Sequence, residues 1–334
     1  MLRWDLIGAS TIAREHMVAA LRSTPGEDIG CIVSGDLARA VAFADACGIA
    51  RATDDLHSLL SDPDINAVYI SSTNNHHSAQ AMAAIAAGKH VLFEKPLAMA
   101  VADAARMVRA AEQAGVVFAT NHHLRCAGSH RAIRDLIRTG RIGQVRSLRV
   151  HHAVHLPAHL QGWRINDLAA GGGVIADITA HDADTVRFVL GDDPVAVVAQ
   201  AGDFGMGSGV EDSVKSVWTM RLGAVVMAHE SFTHRFAGTG IEVHGTEGSI
   251  IASGVMTQAP VGEVVLVTGA GRDSIRYAAH DLDRQAALDF STAVAGHGRP
   301  AADGWDGVKS LTIALAVKDA ARTGTCVPVR YDGP

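Results

Sequence analysis

The sequence predicts two domains of different build, a parallel α/β domain over residues 1–122 and an α+β domain over residues 123–334. Three observations predict them. The chain has 334 residues, 48% of them hydrophobic and 19% charged, which is too long for one ordinary domain and apolar enough for two cores. Six strand-like runs alternate with helical patterns in about the first 120 residues. Beyond Gly191, short alternating runs follow one another through turn residues, as antiparallel strands do.

Charge and composition exclude several function classes. A net charge of −6 without blocks of like sign makes nucleic acid and anionic membrane poor partners. No apolar stretch reaches the roughly 20 residues needed to cross a bilayer. Cys31, Cys47, Cys126 and Cys326 are scattered without C-x-x-C spacing, and Met1 to Gly8 runs straight into a strand without an h-region or cleavage site. A reducing, cytoplasmic setting is expected.

The first strand, residues 2–7, ends in Gly8-Ala9-Ser10-Thr11-Ile12-Ala13, and a helical pattern with Ile12, Val18 and Leu21 follows. Strand, tight turn and helix are the context of a dinucleotide fingerprint. Gly8 permits the turn and Ala13 permits close packing, while the backbone N–H groups from Ala9 to Ile12 face the pyrophosphate with the positive end of the helix dipole. Ser10 replaces the second glycine. It narrows the backbone approach and adds a hydroxyl donor for phosphate. The same residues also suit an ordinary βα turn.

The strand at 29–33 ends at Ser34, with Asp36 and Arg39 just beyond. An acidic residue about 20 positions past the glycines binds the ribose 2′-OH of NAD. Ser34 with the Arg39 guanidinium suits the 2′-phosphate of NADP instead. Asp36 is either that acidic residue displaced by two positions or the N-cap of a helix over 37–46; the cap is preferred, and with it NADP(H).

A strand at 67–71 leads into Ser72-Thr73-Asn74-Asn75-His76-His77. Ser72, Thr73, Asn74 and His77 are candidate cofactor contacts, or the loop simply caps the helix over 78–87 through Asn74, Asn75 or Ser78. The apolar run 90–93 closes on Glu94-Lys95-Pro96. A charged pair at the carboxyl end of a buried strand points into the crevice where open parallel sheets bind ligands, so Glu94 and Lys95 are candidate cofactor contacts. A helix over 101–114 and a strand over 116–120 complete the domain, and Asn121 at that strand's tip joins the candidate cofactor residues.

In the second half, a helix over 129–139 and a strand over 145–154 precede a loop, 155–164, that carries Trp163 and Arg164. An indole against a ring and a guanidinium on its oxygens would serve a sugar or a nicotinamide. A surface loop with one buried tryptophan is the plainer reading. Gly171-Gly172-Gly173 then opens a helix over 174–190, whose buried side is Val174, Ile178, Val186 and Val189. Asp177 and His181, four apart, share a face, with Asp184 three further on. A carboxylate beside an imidazole fixes its tautomer and favours its protonated form, which suits proton donation to a developing alkoxide. A structural i,i+4 pair is the alternative. Strands are expected over 195–201, 213–220, 224–232 and 240–244, with helices over 283–295 and 307–321. His151, His155 and His159 recur every fourth residue among 18 histidines, but a strand separates their faces and no metal is expected. No G-x-S-x-G elbow occurs.

The G-x-x-x-x-A turn of Gly8 to Ala13, the Glu94-Lys95-Pro96 corner and the G-G-G-x-x-x-D-x-x-x-H stretch from Gly171 to His181 together resemble the glucose-fructose oxidoreductase / inositol dehydrogenase family, over nearly the whole chain. The resemblance implies an N-terminal Rossmann domain and a C-terminal α+β domain with a large, mainly antiparallel open sheet. It implies NADPH-dependent reduction of a small sugar ketone, with Lys95, Asp177 and His181 around the reacting carbon. Lys95 holds the substrate oxygen, Asp177 orients, His181 donates the proton, and Arg164 joins them as a substrate contact. The loop 155–164 is expected over nicotinamide and substrate. A tyrosine common near Asp283 in relatives is absent. A sugar or polyol dehydrogenase is the alternative within the family. A non-catalytic NADP sensor is the alternative from another class, and retention of all three site residues counts against it. The protein is expected to be a monomer or a homo-oligomer built through its sheet.

Overall fold

The structure is a computed structural model that describes residues 1–331 and 333. Two compact units emerge, and each is built around its own sheet. The first comprises Met1–His123 with Asp283–Val308, and the second Leu124–Leu282 with Lys309–Tyr331.

In the first unit β1 (Arg3–Ile7), β2 (Asp28–Val33), β3 (Arg51–Thr53), β4 (Ala67–Ile70), β5 (His90–Phe93) and β6 (Phe118–Thr120) alternate with α1 (Val18–Arg22), α2 (Leu37–Cys47), α3 (Leu56–Leu60), α4 (His77–Ala86) and α5 (Val101–Ala114). The strands are parallel in the order β3-β2-β1-β4-β5-β6. The order reverses between β1 and β4, so the crevice beyond their carboxyl ends is the expected ligand position. Strand β4 is buried at every residue, and β5 from Val91 on, as parallel strands covered on both faces must be. Strand β3 is short and polar, which is why apolar runs alone do not mark it.

Asp36 is the N-cap of α2: its carboxylate accepts the Arg39 backbone N–H at 3.1 Å, and Gly48 in the left-handed region ends the helix. The cap expected at Asp36 is thus formed.

The first unit also takes in α9 (Leu282–Val294) from Asp283 on, and the opening turn of α10 (Gly304–Thr323). Phe290 packs its ring 5.2 Å from that of Trp4 and shares a core with Leu6, Met17, Leu21 and Ala287. A division at 122/123 assigns residues 283–308 to the second domain. Sequence order does not say which core an amphipathic helix fills.

In the second unit α6 (Gly128–Arg138), β7 (Val145–Ala153), the short α7 (Ala158–Gln161) and α8 (Ala180–Leu190) precede β8 (Pro194–Gly202), β9 (Ser213–Met220), β10 (Val225–Ser231), β11 (Thr239–Gly245), β12 (Gly248–Ser253), β13 (Glu263–Thr268), β14 (Gly271–Ser274) and β15 (Val327–Pro328). They form one sheet in the order β14-β13-β12-β11-β7-β10-β9-β8-β15, antiparallel except for β7 with β10. From Val214 on, strand β9 alternates: Val214, Ser216, Trp218 and Met220 are buried, while Lys215, Val217 and Thr219 face outward. Val198, Val217, Val225 and Met227 leave the outer face open.

Candidate functional site

In the first unit the site residues stand at five neighbouring strand ends, those of β2, β1, β4, β5 and β6. Gly8 follows β1 with φ +108°, and a Cβ there would lie 2.6 Å from the Ser72 backbone nitrogen. Only glycine lets the β1 turn lie this close to the end of β4. Ser10 turns inward, donating from Oγ to Ser71 Oγ at 2.8 Å and accepting the Ala13 N–H at 3.1 Å. Its hydroxyl is thus spent on fixing the turn, where the sequence suggested a phosphate donor. Thr11 and Ile12 open the helical segment, and first-turn N–H groups are the ones that can face an anionic pyrophosphate. Ser34 is buried at the tip of β2, and Arg39 is exposed on the first turn of α2.

After β4, the Ser72 hydroxyl donates to Gln80 Oε1 at 2.5 Å and the Thr73 hydroxyl to Asn75 Oδ1 at 2.8 Å. Asn74 is buried at the start of a one-turn 3₁₀ segment, Asn74–His76, that no side chain caps. His77 is placed differently from the expected cofactor contact. Its Nδ1 meets the Pro96 carbonyl at 2.8 Å, its Nε2 meets the Ser72 carbonyl at 3.0 Å, and its ring stands edge-on to Phe93 at 4.7 Å. Burial pushes this imidazole down to about 4, so the neutral ring ties the loop after β4 to the corner after β5.

That corner holds Lys95, joined to Pro96 by a cis peptide bond, with Glu94 buried before it. Glu94 Oε1 accepts the Tyr69 hydroxyl at 2.7 Å and Asn121 Nδ2 at 2.7 Å; Asn121 Nδ2 also lies 3.3 Å from Asp283 Oδ1. His16 Nδ1 is 3.8 Å from the other Asp283 oxygen. Glu94 and Asn121, expected as cofactor contacts, thus meet in a buried network linking β4, β5, β6 and α9. Tyr69, Asp283 and His16 escaped the sequence reading. Tyr69 alone left a signal, as the one polar-tipped residue of an otherwise apolar strand.

In the second unit the glycine run holds a loop against a helix. The Gly172 N–H donates to Asp167 O and the Gly173 N–H to Arg164 O, both at 2.8 Å. A Cβ on Gly172 would meet the Trp163 carbonyl at 2.6 Å, and Gly173 has φ +114°. A side chain at Gly172 would push away the segment bearing Trp163 and Arg164, and one at Gly173 would collide with the Glu211 carboxyl group. The helix opens as a π-turn, Ile175–Thr179, before α8, an irregularity frequent at functional sites. Asp177 and His181 are half-buried while Ile178, Thr179 and Ala180 between them are buried, so both face the same open side.

Arg164 Nε lies 3.6 Å from Asp177 Oδ2, and its guanidinium stacks 4.7 Å from the centre of the Trp163 ring. The loop and the helix therefore form one charged site. Asp184 points the other way and is fully buried in a two-point pair with Arg125, at 2.7 and 2.8 Å. Its expected place beside His181 is thus a structural one.

Two family models match the chain, an oxidoreductase NAD-binding Rossmann fold over residues 2–122 and a GFO/IDH/MocA C-terminal domain over residues 130–251. The chain is 52% identical over 330 residues to 1,5-anhydro-D-fructose reductase of Ensifer adhaerens, covering 98% of this chain and 99% of that one. The chain belongs to the GFO/IDH/MocA oxidoreductase family. It is also 30% identical over 285 residues to myo-inositol 2-dehydrogenase of Thermotoga maritima, with 81% and 82% of the two chains covered. The fold matches aldose-aldose oxidoreductase of Caulobacter crescentus in complex with glycerol, with a TM-score of 0.88 at 24% identity over 98% of this chain and 99% of that one. Levoglucosan dehydrogenase in complex with NADH and L-sorbose gives a TM-score of 0.88 at 24% identity, with 99% of each chain covered. Among the described residues no helix is long and apolar enough to cross a membrane.

Proposed function

We propose that this oxidoreductase reduces the C2 ketone of 1,5-anhydro-D-fructose with NADPH, giving 1,5-anhydro-D-mannitol. The observation that carries the reading is the 52% identity, over 98% of the chain, to a 1,5-anhydro-D-fructose reductase. Lys95, Asp177, His181, Trp163 and Arg164 all lie inside that span.

A nicotinamide cofactor, held by the Gly8–Ile12 turn and the loops at the strand ends, would supply the hydride. The chain's residues supply the remainder. The Lys95 ammonium holds the carbonyl oxygen and offsets its growing negative charge. His181 gives that oxygen a proton. Asp177 keeps the imidazole oriented and favours its protonated form. Arg164 shares the Asp177 carboxylate, so it sets how much negative charge His181 feels, and its planar face on Trp163 leaves its outer N–H groups for sugar hydroxyls. Ser34 and the exposed Arg39 suit the 2′-phosphate of NADPH, with Asp36 capping α2 through one carboxylate oxygen.

A polyol dehydrogenase running the same residues in reverse is favoured by the myo-inositol 2-dehydrogenase relative. The experiment is a parallel assay of reduction with 1,5-anhydro-D-fructose and of oxidation with inositols, each with both nicotinamide cofactors. NMR of the product assigns the C2 configuration. Oxidation of inositol in place of reduction of the ketone would reverse the choice.

A further inference from the structure

Beneath the helix that bears Asp177 and His181 lies a pair of carboxyl groups that neither binding nor hydride transfer uses. Glu230 of β10 and Asp182 of α8 are both wholly buried, and His152 of β7 brings them together, level with Glu230 across the parallel strand pair and bonded to Asp182. Asp182 Oδ1 meets His152 Nδ1 of β7 at 3.0 Å, while its Oδ2 and both oxygens of Glu230 have no hydrogen-bond partner among the described residues. Thr179, the last residue of the π-turn and also fully buried, lies beside Glu230. Lys215 of β9 acts on Glu230 from a distance, His151 of β7 acts on Asp182, and His130 of α6 faces His152.

Two carboxylates left ionised in a dry interior, with three of their four oxygens lacking a partner among the described residues, would be costly, and a shared proton eases both faults at once. It cancels one charge and turns one acceptor into a donor. We propose that Glu230 is a positioning residue that retains a proton at neutral pH and donates it to Asp182, fastening the helix of Asp177 and His181 to the sheet. Burial, followed by the repulsion of Asp182, pushes the Glu230 acid well above the usual carboxylate range. Burial also raises Asp182, and the His152 imidazole works against that rise, which leaves Glu230 as the natural proton carrier. Loss of this proton at high pH would set two negative charges against each other under the site and loosen α8. The positioning half of this proposal rests on the reading that the helix carries the reaction; the proton half does not.

The experiment compares the whole protein with its Glu230→Gln and Asp182→Asn variants in two independent arms. The first measures the infrared carbonyl stretch of protonated carboxyl groups at neutral pH, and the unfolding temperature as pH is varied. Because the folded group holds its proton more tightly than the unfolded one, wild-type stability falls as pH rises above the unfolded carboxylate range. The expected result is a protonated-carboxyl band lost in Glu230→Gln, with a stability advantage of that variant over wild type that grows toward alkaline pH. An unchanged band, or a stability difference independent of pH, overturns the proposal. Asp182→Asn decides the matter if Glu230→Gln does not fold, since it leaves Glu230 without its neighbouring charge and should lower the acid's apparent pKa. The second arm follows kcat/KM against pH. Glu230→Gln should move the alkaline loss of activity to higher pH, with KM nearly unchanged at neutral pH. An alkaline limb that superimposes on wild type overturns the positioning role. If 1,5-anhydro-D-fructose is not a substrate, the infrared and unfolding arm still decides the proton.

Discussion

Arg164 Nε stands 3.6 Å from Asp177 Oδ2, so a loop residue and a helix residue share one charge. A carboxylate held by a guanidinium is a weaker partner for an imidazole than a free one. Arg164→Ala should therefore change both substrate binding and the protonation of His181. We expect kcat/KM to fall about 10- to 100-fold, together with a rise in the alkaline limit of activity as His181 feels the full Asp177 charge. Arg164→Lys should keep the charge, lose the planar stack on Trp163 and recover only part of the rate. Steady-state kinetics over a pH series separates these effects.

The cofactor end yields a second prediction. Arg39→Leu removes an exposed guanidinium without touching the Asp36 cap, which uses the Arg39 backbone N–H. KM for NADPH should rise at least about tenfold, with KM for NADH nearly constant and the fold intact. Equal effects on both cofactors would remove Arg39 from 2′-phosphate recognition.

Gly8→Ala tests the close approach of the turn to the end of β4. The added Cβ would fall 2.6 Å from a backbone nitrogen at a φ of +108°. A loss of about 1–3 kcal/mol in urea unfolding is expected, with weaker binding of reduced cofactor by fluorescence titration.

Asp5 supplies a pH prediction in the first unit. It is wholly buried in β1, and burial pushes its acid up to about 7 despite Arg51. The folded protein thus keeps this proton after the unfolded chain has lost it, and Asp5 costs stability increasingly as pH rises from about 4 to about 7. Asp5→Asn should match wild type at acidic pH and exceed it at neutral pH, with the gap constant above about 7. Thermal unfolding across that range reads it directly.

Much of the fold was legible because its signals are local. Apolar runs flanked by turn residues marked β1, β2, β4 and β5, and alternation marked β9. The short, polar strands β3 and β14 carry no such signal, whereas the apolar run Val264-Val265-Leu266-Val267 of β13 does. Asp177 and His181 were legible as a pair because helical spacing alone puts them on one side. The pairing of Arg164 with Asp177, and of Asn121 with Asp283, was not: these contacts span loops and distant helices, and spacing along the chain does not encode them. His77 and Ser10 carry polar groups suited to a ligand, yet packing turns both inward, where they hold the site's loops.

The most direct test of the proposed function follows absorbance loss at the reduced-nicotinamide band with 1,5-anhydro-D-fructose, offering NADPH and NADH side by side. Rapid turnover with NADPH, far slower turnover with NADH and loss of both in Lys95→Ala are the expected results. Turnover with NADH in preference to NADPH would contradict the roles given to Ser34 and Arg39. Absence of turnover with either cofactor would contradict the substrate itself.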